Sequence, residues 1–172
     1  MVDVILVDAK DKQIGTMEKL EAHSNGAKLH RAVSIFIFNK KGETMLQQRA
    51  MTKYHSQGKW SNTCCSHPYV GEDVKDAAHR RLKEEMGFDC DMKEAFSSIY
   101  KAEVGNDLTE WEYDHVFFGE YGKKPKLNAD EAMDYKWMSL SELKKDIDAN
   151  PENYTPWLRI FLDRIIKLRR KD

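Results

Sequence analysis

The sequence predicts an α/β fold, in the looser α+β sense: a mixed β-sheet sandwiched between helices in a single compact domain. Three observations lead there. Alternating apolar runs such as "VDVILV" and "LTEWEYDHVFFGEY" carry the two-residue period of strands. Two longer segments, "DVKDAAHRRLKEEMG" and residues 155–170, read as helices instead. The two kinds of segment are mixed without the regular strand–helix–strand alternation of a parallel sheet. A chain of 172 residues with 41% hydrophobic content is long enough for one full core and short for two. Residues 1–172 are therefore expected to form one domain.

Each element has its own signal. "VDVILV" alternates and predicts a strand. "KLHRAVSIFIFNKKGETMLQQR" predicts a hairpin with its turn at 39–42. In "DVKDAAHRRLKEEMG", Asp73 is the expected N-cap and Gly87 the left-handed stop. Residues 95–101 predict a further strand, and "LTEWEYDHVFFGEY" a strongly alternating one. "MDYKWMSL" predicts a short strand leading into a helix that starts near Ser141 and stops before Pro151. The last helix tolerates Pro156 because it falls in the first turn.

Charged residues make up 33% of the chain and nearly cancel, at net −1. No long-range field points to nucleic acid or to an anionic membrane. The first residues, "MVDVILVDAKDK", lack the basic n-region of a signal peptide. The most apolar run, "AVSIFIF", falls far below the roughly 20 residues that span a bilayer. "RRKD" at the end matches no address or lipidation signal. Three cysteines, two of them adjacent, make a poor disulfide framework. A reducing, cytoplasmic setting is expected, with thiols free or metal-bound. A monomer is favoured, and a dimer is compatible with the sequence.

Two stretches carry chemistry. In "SNTCCSHPYVG", Pro68 biases His67 towards an extended backbone. If residues 63–67 are extended, Cys65 and His67 share a face and Cys64 points the other way. A zinc ligand set, a redox pair, a nucleophile with its base and plain buried neighbours all remain open. A disulfide between adjacent cysteines is the least attractive, on geometry. In the strand around Trp111, Glu110 and Glu112 face one side and Trp111 the other. Two like charges on an inner face need a cation or a shared proton, whereas on a wet face they need neither. His23 and His30 flank a loop in "AHSNGAKLH". Three histidines and two glutamates would suit a divalent first-row metal. His55, His79 and His115 have no such company and are read as ordinary surface or core histidines.

Ser66 to Phe88 reads "SHPYVGEDVKDAAHRRLKEEMGF". It resembles the Nudix box, a loop–helix motif that holds glutamates around a diphosphate-bound magnesium. Glu72, Arg80, Leu82, Glu84, Glu85, Gly87 and Phe88 match it. Ser66 replaces the opening glycine, and Arg81 replaces the first glutamate of the motif's core. A guanidinium in place of a carboxylate argues against ordinary Nudix hydrolysis and not against binding a diphosphate. Together with "EKLEAH", "LHRAVSIFIFN", "RAMTKYHSQGKWSNTCCSHP", "TEWEYDHVF", "DEAMDYKWMSL" and "YTPWLRIFL", the degenerate box makes nearly the whole chain similar to the type I isopentenyl-diphosphate isomerases.

That resemblance implies a Nudix-like fold and an isomerase that interconverts isopentenyl and dimethylallyl diphosphate by proton transfer through a tertiary carbocation. It implies Cys65 and Glu112 as catalytic groups, with Tyr100 assisting Glu112. It implies His23, His30, His67, Glu110 and Glu112 as ligands of one Zn2+ or Mn2+. Mg2+ with the substrate diphosphate would be held by Glu85 and the backbone carbonyl of Cys65. Lys19, Arg49, Lys53 and Arg81 would bind the diphosphate, and Trp157 would face the hydrocarbon. The expected direction is donation by Glu112 with Tyr100 to isopentenyl diphosphate and acceptance by Cys65. Two other readings compete: a Nudix hydrolase of nucleoside diphosphate derivatives, and a non-catalytic metal-stabilised binding module. The first has no need of Cys65 and the Glu-x-Glu pair, and the second none for Cys65, Tyr100 and Glu112 together.

Overall fold

The computed structural model describes residues 2–170. In chain order the elements are β1 (Asp3–Val7), β2 (Gln13–Glu18), α1 (Lys19–His23), β3 (His30–Phe38), β4 (Thr44–Arg49), β5 (Trp60–Ser61), β6 (Cys64–Ser66), α2 (Val74–Met86), β7 (Met92–Gly105), β8 (Leu108–Glu120), β9 (Ala132–Met138), α3 (Leu140–Ala149) and α4 (Pro156–Arg169). All the strands belong to one mixed sheet.

β3 is its axis. Along one edge it runs parallel to β8, from His30 beside Glu112 to Phe38 beside Glu120. Three strands share its other edge: β1 at Leu6–His30, β6 across Val33–Ile35, and β4 at Phe38–Thr44. The predicted hairpin is therefore only half right. Its turn forms, with Asn39 accepting from the amides of Lys41 and Glu43 (both 3.0 Å). The strands then part, because β4 pairs along its length with β9 and at Gln47 and Gln48 with β5. The gap that opens against β3 is filled by β6, which carries Cys64 and Cys65.

Helices cover both faces, as expected. On one, α2 packs Ala78, Leu82 and Met86 against Val33, Ile35, Ile37 and Phe117. Asp73 caps α2 by accepting from the Lys75 amide (2.8 Å), and Gly87 stops it at φ 72°. A side chain at Gly87 would also strike the Lys126 backbone. On the other face, α3 and α4 bury Leu143, Ile147, Leu158, Phe161, Leu162 and Ile165 against Phe36, Phe38 and Val116. Pro156 is tolerated at the start of α4, and Ser139 begins α3 with a capping box two residues before the expected Ser141. No helix among the described residues is long and apolar enough to cross a membrane.

β3 and β8 carry matched alternation on the face beneath α4. His30, Ala32, Ser34, Phe36 and Phe38 lie beside Glu112, Asp114, Val116, Phe118 and Glu120. The α4 face is apolar at the Phe36–Phe38 end and polar at the His30 end. The polar end holds the candidate site.

Candidate active site

The register brings the polar residues together. Glu112 lies between His30 on β3 and Tyr100 on β7. Its Oε2 accepts from the Tyr100 hydroxyl at 2.7 Å, and its Oε1 lies 3.0 Å from His67 Nε2 and 3.5 Å from His30 Nε2. Glu110, two residues earlier, faces the same way, with Oε2 2.9 Å from His23 Nε2. Both carboxylates are buried, at 4% and 6% exposure, so this is not the wet face that the spacing alone allowed. α1 is too short to be stable alone, yet it places the buried His23 beside Glu110 of β8.

The donor set fits a divalent metal. One atom from each of His23, His30, His67, Glu110 and Glu112 lies within 4.8 Å of all the others. Nδ1 of His23 donates to the Lys19 carbonyl (2.6 Å), and Nδ1 of His30 to the Lys28 carbonyl (2.8 Å). Each ring is thus held with Nε2 turned inwards, the orientation a bound ion requires. Burial pushes His30 down to about 4 and His67 well below the usual histidine range. Neutral His30 and His67 then bring their Nε2 atoms within 3.2 Å. Three imidazoles and two carboxylates suit a first-row divalent cation.

Burial and the neighbouring Glu110 push the Glu112 carboxyl well above the ordinary range. Burial opposes ionisation of Glu110 as well, but His23 and His55 hold its carboxyl well below that range. Burial pushes the Cys65 thiol up to about 12, against the pull of Arg49 and Lys53. Cys65 is half-buried beside a cavity of about 230 Å³, while Cys64 is fully buried in the α2 core on the opposite face.

That cavity is lined by Cys65, His67, Tyr100, Glu110, Glu112 and Trp157, and by Lys19, Arg49, Lys53, Arg80 and Arg81. The Trp157 indole N–H is shared between Ser61 Oγ (3.1 Å) and Asn62 Oδ1 (3.0 Å), which fixes the ring, and the Arg49 guanidinium lies 5.3 Å from its centre. Lys19 lies over the Tyr54 ring at 4.2 Å. Arg81 donates to Glu85 (2.5 Å), Glu84 (2.6 Å) and Glu131 (3.1 Å). Glu85 is set back from the cavity wall behind Arg81, with Gln47 as its other donor (2.9 Å).

Two acid–base groups escaped the sequence reading. Glu131 bridges Lys53 (2.5 Å) and Arg81, and nothing in its local sequence marks it. His55, read as an ordinary histidine, instead sits at the site, with Nε2 2.8 Å from Glu110 Oε1. His79 and His115 do lie apart, paired with Asp89 (2.6 Å) and with Asp11 (2.9 Å) and Glu94 (2.7 Å).

The mixed sheet between helices and the box on α2 are those of a Nudix protein, and the NUDIX domain family matches residues 28–158. A solved structure of DR0079 from Deinococcus radiodurans superposes with a TM-score of 0.80 at 18% identity, covering 94% of this chain and 98% of that one, a likeness of fold. The chain is also 54% identical to isopentenyl-diphosphate Delta-isomerase 2 of Aromatoleum aromaticum, over 96% of this chain and 87% of that protein. It is 53% identical to isopentenyl-diphosphate Delta-isomerase 2 of Photorhabdus laumondii, over 91% and 88%. The chain belongs to the isopentenyl-diphosphate Delta-isomerase family.

Proposed function

We propose that Cys65 and Glu112 are the proton-transfer groups with which this chain, an isomerase, interconverts isopentenyl and dimethylallyl diphosphate. The observation that carries the assignment is one cavity with Cys65, Glu112 and Tyr100 on its wall, a tryptophan beside them, and several cationic side chains around it. Moving a double bond by one carbon needs a proton added at one end and another removed at the other. An alkene is a very weak base, so the donor must be desolvated and water kept from the tertiary cation. Burial raises both Cys65 and Glu112, so each is a strong base once it has given up its proton.

From isopentenyl diphosphate, Glu112 protonates the terminal carbon, with the Tyr100 hydroxyl supporting the carboxylate that remains. Cys65 removes the proton from the allylic carbon and must do so as the thiolate, a form that the charges of Arg49 and Lys53 favour and that burial opposes. The roles exchange in the return direction. The Trp157 face stabilises the cation by about 2 kcal/mol in a desolvated setting. Lys19, Arg49, Lys53 and Arg81 hold the diphosphate and discourage its departure. His23, His30, His67, Glu110 and Glu112 would hold a zinc or manganese ion, and Glu85 with the Cys65 carbonyl would hold a magnesium only once Arg81 releases Glu85, which is set back from the cavity wall. Such metals, when bound, orient Glu112, tune its proton affinity and neutralise the diphosphate. The chain is proposed to work as a single domain and a cytoplasmic monomer on a small-molecule substrate, without nucleic acid or membrane.

The test is proton NMR of isopentenyl diphosphate incubated in deuterated water with magnesium and protein. Wild type should yield dimethylallyl diphosphate carrying deuterium, and Cys65→Ala should not, while keeping its circular dichroism. Turnover in folded Cys65→Ala would remove the thiol from the mechanism. Pyrophosphate release by the wild type without isomerisation would replace the isomerase reading with hydrolysis.

A further inference from the structure

We propose that His55 is a positioning residue for Glu110, tying the loop between β4 and β5 to the metal-binding carboxylate. The inference rests on the ligand role of Glu110 proposed above. The two oxygens of Glu110 have separate partners: Oε2 lies 2.9 Å from His23 and Oε1 2.8 Å from His55. His55 is 1% exposed, and its Nε2 has no aligned hydrogen bond despite that short distance. A buried polar atom beside a carboxylate is costly unless the pair is used. A carboxylate oxygen this close requires the proton on Nε2, and Nδ1 lies 3.2 Å from the Ser56 oxygen, whose single hydroxyl proton is shared between that ring and the Val104 carbonyl at 3.3 Å.

The loop is built to hold this ring. Arg49 donates to the His55 carbonyl (3.0 Å), and Asn106 donates to the Tyr54 carbonyl (3.0 Å). Ser56 takes the left-handed conformation at φ 51°, uncommon for a residue with a side chain. The ring also meets Tyr54 and Trp157 edge-on, at 4.3 and 5.7 Å. His55 lies outside the five-residue donor cluster, so it acts through Glu110 and not as another ligand. Groups that orient metal ligands typically account for 10- to 100-fold in metal affinity. Arg49 ends β4 and bonds the His55 carbonyl, and Lys53 lies in the same loop, so a displaced His55 would also loosen the cationic wall of the cavity.

The experiment is competition for zinc alone between the full chain and a chromophoric chelator, using wild type, His55→Ala, His55→Gln and Glu110→Ala. Zinc affinity should fall about 10- to 100-fold in His55→Ala. His55→Gln, which keeps an N–H donor, should recover at least half of that loss on a logarithmic scale. Unfolded variants are excluded by circular dichroism, and His55→Gln serves if His55→Ala does not fold. Unchanged zinc affinity in folded His55→Ala, with Glu110→Ala impaired, would overturn the role of His55 alone. Unchanged affinity in Glu110→Ala would overturn the ligand assignment beneath it. Equal losses in His55→Ala and His55→Gln would mean that the ring only fills space.

Discussion

Arg81→Met isolates one of the two residues that depart from the Nudix box. Methionine keeps the length and apolar character of the stem and removes the charge. In the wild type Arg81 is 16% exposed and Glu85 only 3%, so their 2.5 Å contact lies in a poorly solvated region. Losing the guanidinium leaves Glu85 with neutral donors only, Gln47 at 2.9 Å and the Cys64 thiol. Glu131 keeps Lys53, and Glu84 is 40% exposed, so neither is stranded. Breaking a buried ion pair from one side costs about 3–5 kcal/mol, and the surviving Gln47 bond puts this case near ~3 kcal/mol. For a domain of this size that is a fall of roughly 6–12 °C in Tm. Adding Glu85→Gln removes the stranded charge and keeps an acceptor for Gln47. The double variant should therefore return to within ~1 kcal/mol of wild type. Urea denaturation read at constant m gives both numbers. A single variant as stable as wild type, or a double variant no better than the single, would refute the claim that Arg81 neutralises Glu85. The same variant should raise KM for isopentenyl diphosphate, because a cation leaves the cavity wall.

Two shorter predictions test other links. Tyr100→Phe deletes the 2.7 Å hydrogen bond to Glu112 but keeps the ring edge-on to Phe161 at 5.3 Å. kcat should fall about 10- to 100-fold, the worth of one hydrogen bond to a charged group, with thermal stability little altered; an unchanged kcat would remove Tyr100 from the proton-transfer network. Gly87→Ala forces a side chain into a left-handed residue and against the Lys126 backbone. It should cost at least ~2 kcal/mol in urea denaturation, and a loss below ~0.5 kcal/mol would show that the α2 stop is not constrained.

What the sequence revealed follows from how local each signal is. α2 was legible because its cap, its period and its stop all lie within 73–87 and agree with one another. β2 was missed because no residue of Gln13–Glu18 is buried, and so there is no alternation to read. β7 was read as 95–101 although it spans Met92–Gly105. Its register shifts at Glu94–Phe96 and Glu103–Gly105 interrupt the period at both ends. The parting of β3 from β4 depends on β9 and β6, which no local pattern encodes. At the site, His23, His30, His67, Glu110 and Glu112 were grouped largely through resemblance to a family, and they do converge. His55 carried no such signal: a single histidine in a loop has neither period nor partner in sequence, and its meaning arises only when β8 brings Glu110 to it.

The polar and apolar ends of the sheet face beneath α4 impose one constraint on the register of β3 with β8. Sliding β8 by one residue would send Glu110, Glu112 and Asp114 towards α2 and bring Trp111 and Tyr113 to the α4 face. The apolar pair Phe36–Phe118, with Phe38 and Val116, opposes that slip through packing with α4. The polar end carries a desolvation cost that its internal pairing must offset. It buries three carboxylates, Glu110, Glu112 and Asp114, with the imidazoles of His23, His30 and His55, groups whose desolvation is costly unless they are paired or bind an ion. The Phe36–Phe38 end therefore supplies the packing energy that holds His30 beside Glu112. A core substitution there, far from the cavity, should act on the site through register before it acts through unfolding.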